Sequence, residues 1–239
     1  MKSNNNDPQH IAVIMDGNTR WAVEKSLPGI QGYKHGMENT KKIIMAAIER
    51  NITSISLFAL SSENLKRPAK QRRDLLKIFD QALDEGVPEF HAKLAKFTFI
   101  GDRSFFPSYL VKKMNQAEEL TQDNTGININ IALNYGGKWD ITQSCRRLAK
   151  MVQEQQITYD KIDEKHIADS LCLADQPPID LCIRTGNEKR ISNFFLWQMA
   201  YTELYFSKVY WPDFGRRNFY AAINDFQKRT RRFGNSSIQ

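Results

Sequence analysis

The 239-residue sequence contains only three cysteines, Cys145, Cys172 and Cys182, and no CxxC spacing. An odd, scattered set makes neither a disulfide framework nor a zinc site and reads as reduced thiols of a cytoplasmic protein. Its four histidines, His10, His35, His91 and His166, lie far apart and read as structural or surface residues. Long apolar runs are missing too, since no stretch approaches the ~18 residues of a membrane span. The polar opening Met1-Lys2-Ser3-Asn4-Asn5-Asn6-Asp7 lacks the apolar core of a signal peptide. There is no Gly-x-x-x-x-Gly-Lys-Ser/Thr loop, no Gly-x-Gly-x-x-Gly and no His-Glu-x-x-His, which removes the commonest nucleotide and zinc-protease signatures. No repeat, low-complexity tract or Pro/Gly/Ser linker divides the chain. The expectation is one soluble domain over 1–239, with 1–9 disordered and 235–239 a flexible tail.

What is present is an excess of cations, 34 Lys and Arg against 27 Asp and Glu, giving a net charge of +7. That excess asks for an anionic partner: nucleic acid, a membrane surface or a phosphorylated small molecule. The order of elements narrows the fold. Ile11 to Met15 is a short continuous apolar run, the pattern of a strand buried on both faces. Residues 36–50 read as a helix, 52–60 as a strand, and 71–96 as a long amphipathic helix that Gly86-Val87-Pro88 should kink. Strands at 97–100, 127–131, 179–183 and 204–206 alternate with helices at 105–122, 139–154, 164–173 and 217–231. This is the pattern of an α/β fold, a single domain with a largely parallel sheet flanked by helices.

The polar motifs follow the strands. Asp16-Gly17-Asn18-Thr19-Arg20-Trp21, Ser61-Ser62-Glu63-Asn64, Asn134-Tyr135-Gly136-Gly137 and Arg184-Thr185-Gly186 each come directly after an apolar run. In a parallel sheet the strands' carboxyl ends share one edge, where ligands bind, so these motifs should converge. Gly17 between strand and helix lets N–H groups face an anion, and Arg20 reinforces them. Asp16 repels a bare phosphate and makes sense there with Mg²⁺ between them; an Asp cap on an ordinary helix fits the same residues. Arg184, Arg190 and Ser192 offer two guanidinium forks and a hydroxyl suited to a diphosphate, or equally a solvated basic loop. Ser61, Ser62, Glu63, Asn64 and Arg67 form a polar cluster before Pro68. Such a cluster suits the surroundings of a carbocation-like centre, or the cap of the next helix.

These blocks, with Arg190-Ile191-Ser192-Asn193-Phe194, Trp197-Gln198, Glu203-Leu204-Tyr205-Phe206, Trp211-Pro212-Asp213-Phe214 and Arg231-Arg232-Phe233-Gly234, resemble the cis-prenyltransferase family. They are closest to its bacterial undecaprenyl diphosphate synthases, and they run collinearly over residues 10–234. The resemblance implies a cis-prenyltransferase fold with an apolar tunnel. It implies Mg²⁺-dependent condensation of isopentenyl diphosphate onto an allylic diphosphate such as farnesyl diphosphate. The product would be a polyprenyl diphosphate carrier for cell-wall peptidoglycan synthesis.

Carried over residue by residue, Asp16 and Asn64 would be catalytic, and Asp16 and Glu203 would hold the metal, Glu203 from the partner's side of a homodimer or close to it. Gly17, Asn18, Thr19, Arg20, Trp21 and Tyr33 would serve the allylic substrate, with Ser61, Ser62, Glu63 and Arg67 beside it. Arg184, Arg190, Ile191 and Ser192 would bind isopentenyl diphosphate, and Ile127 would lie near the tunnel's closed end. The family usually has Gly for Thr19, Arg for Gly29, His for Tyr33, Trp for Leu65 and often Gly for Asn187; Lys25, Lys34 or His35 would have to replace the lost Arg and His.

Three other readings compete: a short or irregular isoprenoid product, a catalytically impaired partner subunit, and a nucleic-acid binder built on the clusters 66–73 and 228–232. The last ranks lowest, because those clusters read as solvated helix faces. No nucleic-acid partner is expected. The protein should instead touch the inner membrane face transiently, when product leaves.

Overall fold

The first strand forms where five residues in a row can be wholly removed from water. In the computed structural model, which describes residues 7–61 and 68–230, β1 (His10–Ile14) is buried along its whole length. A strand buried on both faces needs a neighbour on each edge. It has β2 (Ser54–Ser61) on one side and β5 (Leu181–Arg184) on the other, both parallel. With β3 (Lys96–Ile100), β4 (Asn128–Tyr135) and β6 (Glu203–Phe206), the described residues build a six-stranded sheet in the order β3-β4-β2-β1-β5-β6. Every pairing is parallel. The chain leaves β1 toward β2 and returns on its other side at β5. That places the switch point, where a crevice opens above the strand ends, between β1 and β5.

The helices α1 (Asn18–Glu24), α2 (Gly29–Glu49), α3 (Ala69–His91), α4 (Ser108–Thr121), α5 (Gly137–Gln153), α6 (Glu164–Asp169) and α7 (Arg216–Gln227) complete the layers. Residue parity along the strands divides the interior in two. Ile11, Val13, Ile55, Leu57, Ile129, Leu181 and Ile183 join the larger core with residues of α2, α3, α4 and α7. Ala12, Ile14, Phe58, Ala132 and Cys182 join the smaller one with Tyr135, Phe194 and Phe195. Near the strands' amino ends this second face is polar. His10 contacts the Pro177 carbonyl (2.7 Å) and Ser56 Oγ (2.7 Å), and Asn130 bonds Ser54, Ser56 and Gln176.

Several expectations shift. The helix placed at 36–50 begins at Gly29, where Pro28 supplies the preset φ before the first turn. The long helix ends at His91, because Leu94 takes a positive φ of 58° and Lys96 already pairs with the sheet. Helical backbone runs unbroken through Gly86-Val87-Pro88. Pro88 forgoes one i→i−4 bond, and because it sits one turn from the end the disturbance is confined to the last turn. Within the stretch expected to be disordered, residues 7–9 are tied down: Asp7 accepts from Arg50 (3.0 Å) and Gln9 N–H donates to Asp180 (2.8 Å). No helix among the described residues is long and apolar enough to cross a membrane.

Candidate active site

The register of β1 against β5 sets Ile14 beside Arg184, so the residues that follow each strand meet. Thr185 clamps the two ends together: its hydroxyl accepts from the Asp16 N–H (2.9 Å) and lies 2.7 Å from the Asp16 carbonyl. Gly17 has φ +102°, and a Cβ there would come within 2.5 Å of the Tyr210 ring. Only glycine fits this turn. Gly186 has φ +82°, and its Cβ would press on Arg20 and the Asp16 backbone. No side chain caps α1, which leaves its first-turn N–H groups to a ligand. Gly17, Asn18, Thr19 and Arg20 all line one cavity.

The charges at that cavity are already matched to each other. The Asp16 carboxylate accepts from Arg184 (2.8 Å), Arg20 (3.1 Å) and the Gly17 N–H (2.7 Å). Burial works against its ionised form, but Arg184 first, then Arg20 and Gly17, hold the carboxyl below the usual carboxylate range. Arg184 is buried. It donates to Ser192 Oγ (2.7 Å) and to the Arg190 carbonyl, and its Nε has no partner among the described residues. Glu188 bridges Arg20 (3.2 Å) and Arg190 (2.5 Å). Two carboxylates thus occupy three guanidiniums that could otherwise grip phosphate oxygens. Sequence reasoning gave Glu188 and Thr185 no role; their place inside the quoted arginine loop was the only signal.

Below this polar rim the same cavity runs on between α2, α3 and the sheet, with a volume of about 790 Å³. Ile44, Leu57, Leu83, Phe90, Phe97 and Ile131 are among its apolar walls. A compact polar end joined to a long apolar body fits a diphosphate carrying a hydrocarbon chain.

The structure brings together Asp16, Gly17, Asn18, Thr19, Arg20, Tyr33, Ser61, Arg184 and Ser192 on this cavity. Trp21, expected to face the chain, is instead buried against His35, with ring centroids 4.8 Å apart. Arg190 reaches the site through Glu188 and its carbonyl, while Ile191 packs on the smaller core. Ile127 does not line the cavity. It lies in the larger core, and Phe90 and Phe97 stand on the cavity wall instead. Glu203 pairs in register with Leu181, three residues before Arg184, and is ion-paired with Arg229 (2.7 Å). At ~3.3 Å per residue this puts it about 10 Å down the sheet from the strand ends that carry Asp16. Ser62, Glu63, Asn64, Leu65 and Arg67, like Arg231 to Gly234, lie outside the described residues.

Three departures from the family pattern touch one another. Thr19 and Tyr33 hydroxyls are 3.3 Å apart, and a Cβ on Gly29 would meet the Thr19 methyl at 3.5 Å. Lys25 lies over the Trp21 ring, so neither it nor His35 lines the cavity. Asn187 has φ +61°, a backbone that asparagine tolerates nearly as glycine does.

The donor set admits one kind of metal. No group of three or more His, Cys, Asp or Glu among the described residues could hold an ion. Magnesium, however, takes one or two carboxylates and completes its shell with water and substrate phosphate. The partly exposed Asp16 carboxylate on the cavity fits an ion that arrives with a diphosphate.

Known proteins share this chain's sequence pattern and fold. The prenyltransferase family model described as "Putative undecaprenyl diphosphate synthase" matches residues 14–234. A farnesyl-diphosphate-specific ditrans,polycis-undecaprenyl-diphosphate synthase of Vibrio vulnificus is 48% identical over 227 residues, covering 95% of this chain and 90% of that protein. Lavandulyl diphosphate synthase from Lavandula x intermedia, solved with dimethylallyl diphosphate, superposes with a TM-score of 0.94 at 34% identity, covering 97% and 100% of the two chains. A structure titled as a probable undecaprenyl diphosphate synthase, from Campylobacter jejuni, gives 0.79 at 32% identity, with 96% and 100% covered.

Proposed function

The chain belongs to the undecaprenyl diphosphate synthase family of cis-prenyltransferases, and on that premise we propose that it extends farnesyl diphosphate with isopentenyl diphosphate into undecaprenyl diphosphate. The observation that carries this reading is the single cavity with a guanidinium-rich mouth and a continuous apolar body. High identity to long-chain synthases favours that product over a short or irregular one.

In the reaction the C–O bond of the allylic diphosphate breaks and diphosphate leaves. The terminal carbon of isopentenyl diphosphate bonds to the freed carbon, which leaves a cation on the methyl-bearing carbon, and the next methylene then gives a proton to a diphosphate oxygen to restore a double bond. Arg20 and the first-turn N–H groups of α1 receive the allylic diphosphate, and its negative charge grows as the bond breaks. Arg184 and Ser192 hold the second diphosphate, with Arg190 released to it from Glu188. Arg184, joined to both Asp16 and Ser192, sets the spacing of the two substrates. Asp16 is the residue that would hold Mg²⁺, whose chemistry is to neutralise the leaving diphosphate. The apolar walls exclude water from the cationic carbon and receive the chain as it grows.

The active unit in this reading is a homodimer, with Glu203 offered to the neighbouring subunit's site, and product leaves toward the membrane. Incubation with farnesyl diphosphate, labelled isopentenyl diphosphate and Mg²⁺, followed by sizing of the products, should give long polyprenyl diphosphate. A product stopped after one or two additions, or no product, would sink the proposal.

A further inference from the structure

Beside the main cavity lies a second, open groove of about 400 Å³, lined by Ala69, Arg72, Arg73, Leu76, Phe105, Phe106 and Pro107. Leu76 and Phe106 line both spaces, so their side chains form the partition between them. One side of that partition is the apolar body of the cavity. The other is a basic, aromatic surface. Lys70, Arg72 and Arg73 fall within six residues that contain no acid, and Lys70 and Arg73 form no ion pair among the described residues. Phe105 keeps 38% of its surface in water although Phe106 beside it is buried, and Tyr109, four residues on, keeps 49%.

Resting on the reading of the cavity as a polyprenyl channel, we infer that this groove docks on an anionic bilayer and that the finished chain leaves the cavity past Leu76 and Phe106. The occupant follows from complementarity. A partly exposed phenylalanine sharing a groove with two arginines, with Lys70 in the same helical turn, has the composition of an interfacial anchor, with aromatic rings at headgroup level and cations on lipid phosphates. An apolar product moving through the partition meets lipid on the far side instead of water. Lys70, Arg72 and Arg73 are also outside the set of residues assigned to either substrate and do not line the main cavity.

The test uses the full-length protein without substrate, pelleted with vesicles of phosphatidylcholine, either pure or doped with phosphatidylglycerol. A basic residue at an anionic surface is worth about fivefold in partitioning. Lys70→Glu with Arg73→Glu should therefore lower binding to the doped vesicles about 25-fold or more, and Phe105→Ser should lower binding to both. None of these residues lines the main cavity, so single-turnover prenyl transfer in detergent should be unchanged. In the wild type, doped vesicles should raise steady-state turnover, and in the charge variant they should not. The inference is overturned if the variants pellet like wild type. It is overturned equally if pure phosphatidylcholine binds as well as the doped vesicles, or if single-stranded RNA strips the protein from vesicles through these same residues. Because binding is read without substrate, a chain that pellets as expected yet transfers no prenyl group overturns the proposed function alone.

Discussion

At the scale of single residues, the polar end of the cavity departs from the family pattern at a small connected set. Among the described residues a Cβ on Gly29 would meet the Thr19 methyl alone, at ordinary contact distance, so a longer side chain has room there. Gly29→Arg with Tyr33→His should return a cation and an imidazole to the mouth and lower KM for farnesyl diphosphate. One charge-assisted contact, ~1.5–3 kcal/mol, corresponds to roughly tenfold or more. An unchanged KM would mean that the Thr19–Tyr33 hydroxyl pair already does this work. His10 offers a second test. Burial is the largest influence on it and lowers its pKa below 6.5, outweighing the opposing Pro177 carbonyl and Asp180. Pro177 can only accept, so Nδ1 carries the proton and Nε2 accepts from Ser56. The folded state then refuses a proton that the unfolded chain takes near pH 6.5, so stability should fall as pH drops below that value. An NMR titration in which the His10 ring protonates at or above pH 6.5 would refute the neutral assignment. The missing cation at Gly29 and a structural reading of His10 were legible beforehand; the partners each one touches were not, because a glycine's room and a lone histidine's tautomer are set by residues distant in sequence.

At the scale of elements, the strands and most helices were readable, since continuous apolar runs and helical stripes report burial directly. The walls of the cavity were readable in part. Leu75, Phe79, Leu83 and Phe90 of α3 do line it, but the sheet contributes Phe97, Phe99 and Ile131 where Ile127 was expected. Ile127 stands just before β4, and its carbonyl accepts from Lys96 at the start of β3, so it fills core beyond the cavity. Phe90 and Phe97, with ring centroids 6.4 Å apart, are the better brake on chain growth. Phe97→Ala should lengthen the product by at least one five-carbon unit, each contributing up to ~4 kcal/mol of burial at ~0.8 kcal/mol per carbon group. Chromatography of the products decides it: lengthening by Ile127→Ala and not by Phe97→Ala would reverse this assignment. Removing the Phe97 ring should also cost about 3–5 kcal/mol of stability, so sizing is done on protein that remains folded.

At the scale of the whole molecule, the position of Glu203 bears on how many copies of the chain build one site. Within one chain it lies down the sheet from Asp16, on the edge strand β6, held by Arg229. If it serves a second copy, Asp16→Ala and Glu203→Ala homodimers should both be inactive, while mixed dimers should recover activity. One of their two sites would then draw an intact Asp16 from one subunit and an intact Glu203 from the other. Recovery to about a quarter of wild type is expected, since random mixing makes half the dimers mixed and each has one complete site. No recovery in dimers shown to have exchanged subunits would rule out service of Glu203 across the interface.

The sequence by itself determined the parallel sheet, the family and the polar motifs that gather at the mouth of the cavity, because these are written locally. Apolar runs make buried strands, and a polar motif after each run must emerge at the shared edge. Tertiary structure alone decided what those residues do to one another. The pairing of Asp16 with Arg184 and the bridge from Glu188 to Arg20 each join residues 168 positions apart, and the partition joins Leu76 to Phe106, 30 positions apart. No local pattern specifies such distances: they are set by strand register, helix packing and the side of the sheet on which each loop emerges.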